Sequence, residues 1–318
     1  MAYGRKMTIQ RPLGDSGLSV APLALGGNVF GWTADEQASF AILDAFVDAG
    51  GNMIDTADVY SAWVPGHDGG ESEAVIGRWL KRDPAKRDKV IIATKVGMLT
   101  GLEPETIRSA CDASLERLGI ETIDLYYHHK DHPEVPLADS LGAMDGLVKA
   151  GKVRAVGLSQ YESDRLDEAM RTAAAEGLTR PCALQTWYNL VERAKLEGPL
   201  RDAALRHGLG IIPFFGLANG FLTGKYRSSE DLAKSTRGDR VAEYLEGRGL
   251  RVLAALDRVS AETGASLAAI ALAWTNVQPG IVATLASATS VEQLAELIAS
   301  MHLQLSSEQI TLLDEASA

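Results

Sequence analysis

Cysteine is nearly absent from this 318-residue chain. Cys111 and Cys182 are too few for a disulfide framework, lack metal-ligand spacing, and sit within apolar patterns that read as core packing. Long apolar runs are missing too. The longest, Leu267 to Trp274, has eight residues, against the roughly 20 that a membrane-spanning helix needs. Arg5, Lys6 and Arg11 have no apolar stretch behind them, so the start does not read as a secretion signal and a cytoplasmic location is expected. Positive charge is in deficit, 31 basic against 42 acidic residues for a net −11. That balance disfavours nucleic acid as a partner but leaves room for a local basic pocket around a phosphate. No linker, low-complexity tract or charge block divides the chain, so one domain spanning 1–318 is expected.

What is present is a recurring alternation. Strand-like runs begin near residues 22, 52, 90, 123, 153, 182, 210 and 281, with 3.6-residue apolar periodicity between them. Examples of those helical stripes are Ile107, Cys111, Leu115 and Leu118, then Leu141, Met144, Leu147 and Val148. Eight strand-plus-helix units predict a closed (β/α)8 TIM barrel. The last interval is 71 residues (281 minus 210), which predicts a long loop between the seventh and eighth strands, at the functional end. Ahead of the first run, Thr8 to Ala21 predicts a hairpin turning at Gly14-Asp-Ser-Gly17 and closing the barrel bottom. Val291 to Met301 and Ser307 to Ala316 predict two closing helices.

Asp55, Tyr60, Lys95 and His129 each stand at or just beyond the C-terminal end of such a run, so parallel strands would gather them at one mouth. A tyrosine is a weak acid near neutrality, with a reference pKa near ~10. An adjacent Lys95 is expected to lower that value, Asp55 to anchor the lysine, and His129 to hydrogen-bond a substrate oxygen. An acid beside a polarised carbonyl, without an obvious serine or cysteine nucleophile, suits carbonyl reduction given a bound hydride donor. Singly, each residue also has a plain structural reading: a turn cap, a loop aromatic, a solvated charge, a satisfied polar group. His128-His-Lys-Asp-His132 resembles a metal cluster, but strand neighbours point to opposite faces, so no metal is expected.

Taken in order, the motifs resemble the aldo-keto reductases along essentially the whole chain. They are Asn52-Met-Ile-Asp-Thr-Ala-Asp-Val-Tyr60, Gly70-Glu-Ser-Glu73, Ala93-Thr-Lys95, Asp124-Leu-Tyr-Tyr-His-His129, Gly157-Leu-Ser159, Gln185-Thr-Trp-Tyr-Asn-Leu190 and Leu217-Ala-Asn-Gly-Phe-Leu-Thr-Gly-Lys225. The likeness is greatest to a bacterial branch of broad-substrate reductases related to potassium-channel β subunits. It implies a (β/α)8 barrel, NADP(H) as preferred cofactor with NAD(H) as the alternative, and the tetrad Asp55, Tyr60, Lys95 and His129. The histidine is His129 rather than His128 because the family's follows the strand aspartate by five.

The resemblance also implies that Ser159 and Gln185 hold the nicotinamide carboxamide and that Phe214 stacks on its ring. Phe215, Gly216, Leu217 and Ala218 would follow the pyrophosphate, with Lys225 and Arg237 supplying positive charge. Ser287, Thr289, Gln293 and Glu296 would surround the adenosine end. Three positions depart from the pattern: Gln160 replaces an asparagine at the carboxamide, and Thr289 and Leu297 replace groups that commonly meet the 2′-phosphate end. Val29, Phe30, Trp32 and Trp63 are expected to give an apolar approach for aldehydes or ketones. Two further readings are a Schiff-base lyase using Lys95 and a regulatory NADP(H)-binding module of the channel-β kind. The partner is a small-molecule carbonyl in the leading reading, with neither nucleic acid nor membrane.

Overall fold

The computed structural model describes residues 9–234 and 238–318. Eight parallel strands form one sheet: β3 (Leu23–Gly26), β4 (Met53–Asp55), β5 (Ile91–Val96), β6 (Ile123–His128), β7 (Val153–Ser159), β8 (Ala183–Trp187), β9 (Gly210–Phe214) and β10 (Thr284–Ala286). Sequence neighbours pair in order and β10 pairs with β3. Between β9 and β10 the barrel closes through a parallel bridge of Ile211 with Ile281, carried by Ile211 N–H to Gly280 O and Val282 N–H to Ile211 O, each 3.0 Å.

Helices α1 (Glu36–Asp48), α2 (Glu71–Arg82), α3 (Pro104–Leu118), α4 (Leu137–Lys149), α5 (Ser163–Ala175) and α6 (Pro199–Arg206) follow β3 to β8. Local chemistry sets their ends. The Asp35 carboxylate accepts from Ala38 N–H at the start of α1, Pro104 opens α3, and Gly119, left-handed at φ 63°, ends it. The long interval expected as a loop holds more structure: 3-10 turns at Ala218–Thr223, Ser229–Lys234 and Gly238–Leu245, then α7 (Arg248–Thr263) and α8 (Leu267–Asn276). Helices α9 (Val291–Ala299) and α10 (Ser307–Ser317) close the chain, the latter with a Ser306/Gln309 capping box.

The two-residue period of the strands divides the core. Ala24, Met53, Ile91, Ala93, Leu125, Tyr127, Ala155, Ala183 and Ile212 pack inside the barrel, while Leu25, Ile54, Ile92, Tyr126 and Val156 pack outward against helices. The short antiparallel hairpin β1 (Arg11–Pro12) and β2 (Ser19–Val20) plugs the N-terminal end, with Leu13, Leu18 and Val20 joining the interior cluster. Asn52 ties it down, donating to Ser19 O and accepting from Ala21 N–H, both at 2.8 Å.

Inside, fit is tight enough to dictate glycine. A Cβ at Gly157 would come 2.4 Å from the ring of buried Tyr127. Gly157→Ala is therefore expected to destabilise the chain by about 1–3 kcal/mol, read as a lower urea midpoint at unchanged slope; an unchanged midpoint would contradict this packing.

Candidate active site

Continuing the inward phase of each strand toward its C-terminal end reaches polar residues. Met53 leads to Asp55, Ala93 to Lys95, Tyr127 to His129, Ala155 and Gly157 to Ser159, Ala183 to Gln185, and Ile212 to Phe214. The same parity sends His128 outward, where its Nδ1 lies 3.0 Å from the Tyr161 hydroxyl. The apolar barrel floor thus carries a ring of functional groups one layer above it.

Four strands and one loop meet there. Lys95 Nζ donates to Asp55 Oδ1 (2.5 Å), to the Thr56 carbonyl (2.8 Å) and to the Tyr60 hydroxyl (2.9 Å). Both members of the ion pair are 0% exposed. Gln185 Nε2 donates to the other Asp55 oxygen at 2.8 Å, and Tyr60 donates a long 3.4 Å contact to Oδ1. The His129 ring stands edge-on to Tyr60, 6.0 Å between centroids, and its Nδ1 has no partner among the described residues. The segment Gly70-Glu-Ser-Glu73 meets the Tyr60 backbone, Gly70 N–H donating to Tyr60 O at 3.2 Å, and is itself anchored. Ser72 donates to Gly27 O (2.7 Å) and accepts from Thr56 (2.8 Å), while Glu73 takes Thr94 (2.5 Å) and Arg117 (2.7 Å), seating the start of α2 under β4 and β5.

The electrostatics differ from the sequence expectation in one respect. Burial raises the Tyr60 pKa; Lys95 pulls it down and Asp55 pushes it up, leaving it at about 12. The lysine does not lower the phenol below its ordinary value because burial of the ring penalises phenolate more than one ammonium already paired with Asp55 rewards it. Tyr60 rests as the acid. Burial disfavours a charged Lys95, but Asp55 and Tyr60 outweigh it and raise its pKa, so the ammonium persists. Burial, then Lys95 and Lys130, hold His129 well below the ordinary histidine value, so it is neutral at pH 7.

Around this group, Ser159 is buried beside Gln185 in register, its hydroxyl without a partner among the described residues. Phe214 contacts Phe215 (5.2 Å) and Trp187 (6.1 Å), and Trp187 lies 4.8 Å from Phe215. Trp187 had no role in the sequence reading; the signal was its phase, two residues beyond inward-facing Gln185. The backbone beyond the strands is strained: Ser61, Gln160, Phe215, Ala218 and Asn219 all have positive φ, at a cost on the order of 1–3 kcal/mol each. A Cβ at Gly216 would meet Thr284 Cγ2 at 2.6 Å, so the Phe215 to Ala218 turn lies close against β10. Leu217 is half-buried in that turn, and exposed Lys225 folds back beside Gly220 and over the Tyr226 ring.

Other expected residues fall in varied places. Ser287 donates to Asn28 Oδ1 (2.6 Å); the Gln293 side chain accepts from Thr289 N–H and hydroxyl (both 3.0 Å); Glu296 is exposed on α9. Trp32 and Trp63 touch edge to face (5.6 Å), with Trp63 6.1 Å from Tyr60 and 49% exposed. Val29 and Phe30, expected at the mouth, are instead core: Phe30 is fully buried beneath Gly27 and packs with the outer helices. Gln160, expected at the cofactor, donates its carboxamide to the His129 carbonyl. Arg237 lies outside the described residues. Among the described residues no group of His, Cys, Asp and Glu could hold a metal ion, and no helix is long and apolar enough to cross a membrane.

A parallel barrel with a buried lysine–carboxylate pair and a half-buried tyrosine at its C-terminal mouth defines a class of barrel oxidoreductases. Residues 22–318 match the family model described as "Aldo/keto reductase family", and the chain belongs to that family, whose chemistry is nicotinamide-dependent carbonyl reduction. It is 32% identical to "Uncharacterized oxidoreductase YrpG" of Bacillus subtilis, over 95% of this chain and 94% of that protein. It is 30% identical to "L-glyceraldehyde 3-phosphate reductase" of Escherichia coli O157:H7, over 96% and 91%. It is also 30% identical to "Probable voltage-gated potassium channel subunit beta" of Oryza sativa subsp. japonica, over 89% and 88%.

Asp58, two residues before Tyr60, gives the site a pH signature. Burial and then Glu73 raise its pKa to about 7, against the opposing pull of Arg117 and Lys95, and its Oδ1 has no partner among the described residues. The folded chain thus holds this proton more tightly than the unfolded one, whose value is near ~4. The stabilising contribution is complete below that value and lost as pH rises toward 7. Asp58→Asn is expected to stabilise the chain by at least about 1 kcal/mol at pH 8 and hardly at pH 4, read by thermal melting; equal effects at both pH values would contradict the assignment.

Proposed function

We propose that the chain is a carbonyl reductase, with NADP(H) as preferred cofactor, that converts aldehydes or ketones to alcohols using Tyr60 as proton donor. The observation that carries this is the Lys95 ammonium, fully buried, fixed by Asp55 and donating to the Tyr60 hydroxyl at the barrel mouth. When bound, the cofactor supplies a hydride to the carbonyl carbon. Tyr60 gives its proton to the carbonyl oxygen as negative charge develops there; it is fully protonated at neutral pH and still a stronger acid than the alcohol formed, so the transfer to the developing alkoxide is downhill. Lys95 stabilises the phenolate left behind, and solvent returns the proton. Neutral His129 donates an N–H that orients the substrate oxygen.

The residues fit a nicotinamide nucleotide. The unpartnered Ser159 hydroxyl and Gln185 would hold its carboxamide. Phe214, backed by Trp187, offers its ring a flat apolar wall. The Phe215, Gly216, Leu217 and Ala218 backbone, with Lys225 and Arg237, would meet the pyrophosphate. Ser287, Thr289, Gln293 and Glu296 would line the adenosine end. Trp63 beside Tyr60, with Trp32 packed against Trp63, favours an apolar or aromatic carbonyl substrate. A Schiff-base lyase is disfavoured because Lys95 keeps its proton, and an ammonium is no nucleophile. A regulatory NADP(H)-binding module draws support from the channel-β relative, whose name places it in a channel assembly.

Parallel titrations with NADPH and NADH, followed by tryptophan fluorescence, separate these readings when combined with turnover of 4-nitrobenzaldehyde. Saturable quenching, tighter with NADPH, and sustained oxidation of cofactor are expected. One slow turnover without a steady state would favour the regulatory module, and borohydride trapping of the aldehyde on Lys95 the lyase. No binding of either nucleotide would sink the reductase reading.

A further inference from the structure

Gln160 stands one residue beyond β7 and carries a conformation unusual for glutamine, φ 55°. Its backbone N–H continues the β7–β8 ladder, donating to Gln185 O at 3.0 Å. The consequence falls on β6. His129 lies one residue past that strand, and its N–H is still paired with Val96 O of β5 at 2.8 Å. On the other flank, the Gln160 backbone N–H is committed to β8. The Gln160 side chain fills the gap: its Nε2 donates to His129 O at 3.0 Å. The His129 peptide is thus clamped from both neighbouring strands, once by backbone and once by a side chain.

We infer that Gln160 is a positioning residue that fixes His129 for catalysis, and that its carboxamide is not a cofactor contact. Reach explains why glutamine serves here. An asparagine would stop about 1.5 Å short, freeing its amide for a ligand in the mouth and leaving the His129 carbonyl without this donor. The next tie along the loop, Asp131 to Arg165 at 2.8 and 2.9 Å, lies two residues further on, so it does not substitute for the clamp. His129 needs such support, because its ring Nδ1 has no partner among the described residues, which leaves the tilt of the ring to packing such as the edge-on Tyr60.

This inference rests on the carbonyl-reductase reading, and Gln160→Gly, Gln160→Asn and Gln160→Glu test it. Glycine and asparagine accept positive φ more readily than glutamine, so a residue of purely structural importance would lose nothing when replaced by them. Glutamate keeps the shape but its carboxylate cannot donate. With 4-nitrobenzaldehyde and NADPH, all three variants are expected to lose roughly three- to tenfold in kcat/KM, the worth of one hydrogen bond. Melting temperatures of the glycine and asparagine variants should be no lower than wild type, and the NADPH Kd from fluorescence quenching should stay within about twofold, or tighten for asparagine. Wild-type kcat/KM in the glycine and glutamate variants would overturn the clamp. A Kd that weakens in step with kcat/KM would overturn it differently, by making Gln160 a cofactor contact. A wild-type chain that binds NADPH but turns over no aldehyde would remove the reductase reading, and the inference with it.

Discussion

The ion pair between Lys95 and Asp55 is the constraint on which the mouth of this barrel depends. Removing two charges from water costs several kcal/mol per ion, and their attraction offsets this only when the remaining hydrogen-bonding capacity is filled. Here it is: the ammonium has Asp55, the Thr56 carbonyl and the Tyr60 hydroxyl, and the carboxylate also has Gln185. These partners come from β4, β5, β8 and the loop after β4, so the pair is satisfied only when the barrel is assembled. The field of a Lys95 held this way favours negative charge on the Tyr60 oxygen, against the burial that opposes it.

The support is arranged in layers. Small and aliphatic residues fill the barrel interior, the polar ring stands one strand register above, and a rim of left-handed, strained turns at Ser61, Gln160, Phe215, Ala218 and Asn219 lies above that. Strain at the rim is sustained by side-chain ties: Asn189 donates to Phe215 O at 2.9 Å, and Gln160 to His129 O. Outside the sheet, Glu73 joins Thr94 of β5 to Arg117 of α3, so the helix layer holds the lysine strand at the level of the site. Precision at the mouth thus derives from rigid elements below and beside it.

Much of this was legible in the sequence, because strand parity is written in it. An apolar residue every second position, ending in Asp55, Lys95 or His129, fixes both the face and the end of the strand, and it separates His129 from His128. The rest depended on three-dimensional surroundings. The direction of the Tyr60 shift follows from how deeply the fold buries the phenol, which no local pattern states. Phe30 reads as a loop aromatic, yet Gly27 admits it to the core. Gln160 reads as a conservative carboxamide, whereas the left-handed backbone at that position redirects it. The segment after β9 conceals α7 and α8 because the polar stretch from Ser228-Ser-Glu-Asp231 precedes them and masks the periodicity that follows.

Replacing Tyr60 by phenylalanine tests the central claim most directly, since it removes one oxygen and keeps the ring that His129 and Trp63 pack against. With NADPH binding verified by fluorescence, single-turnover reduction of 4-nitrobenzaldehyde is predicted to slow by roughly 10²–10⁴-fold, the usual contribution of a positioned general acid. Reduction at the wild-type rate by a variant that binds NADPH normally would contradict the account.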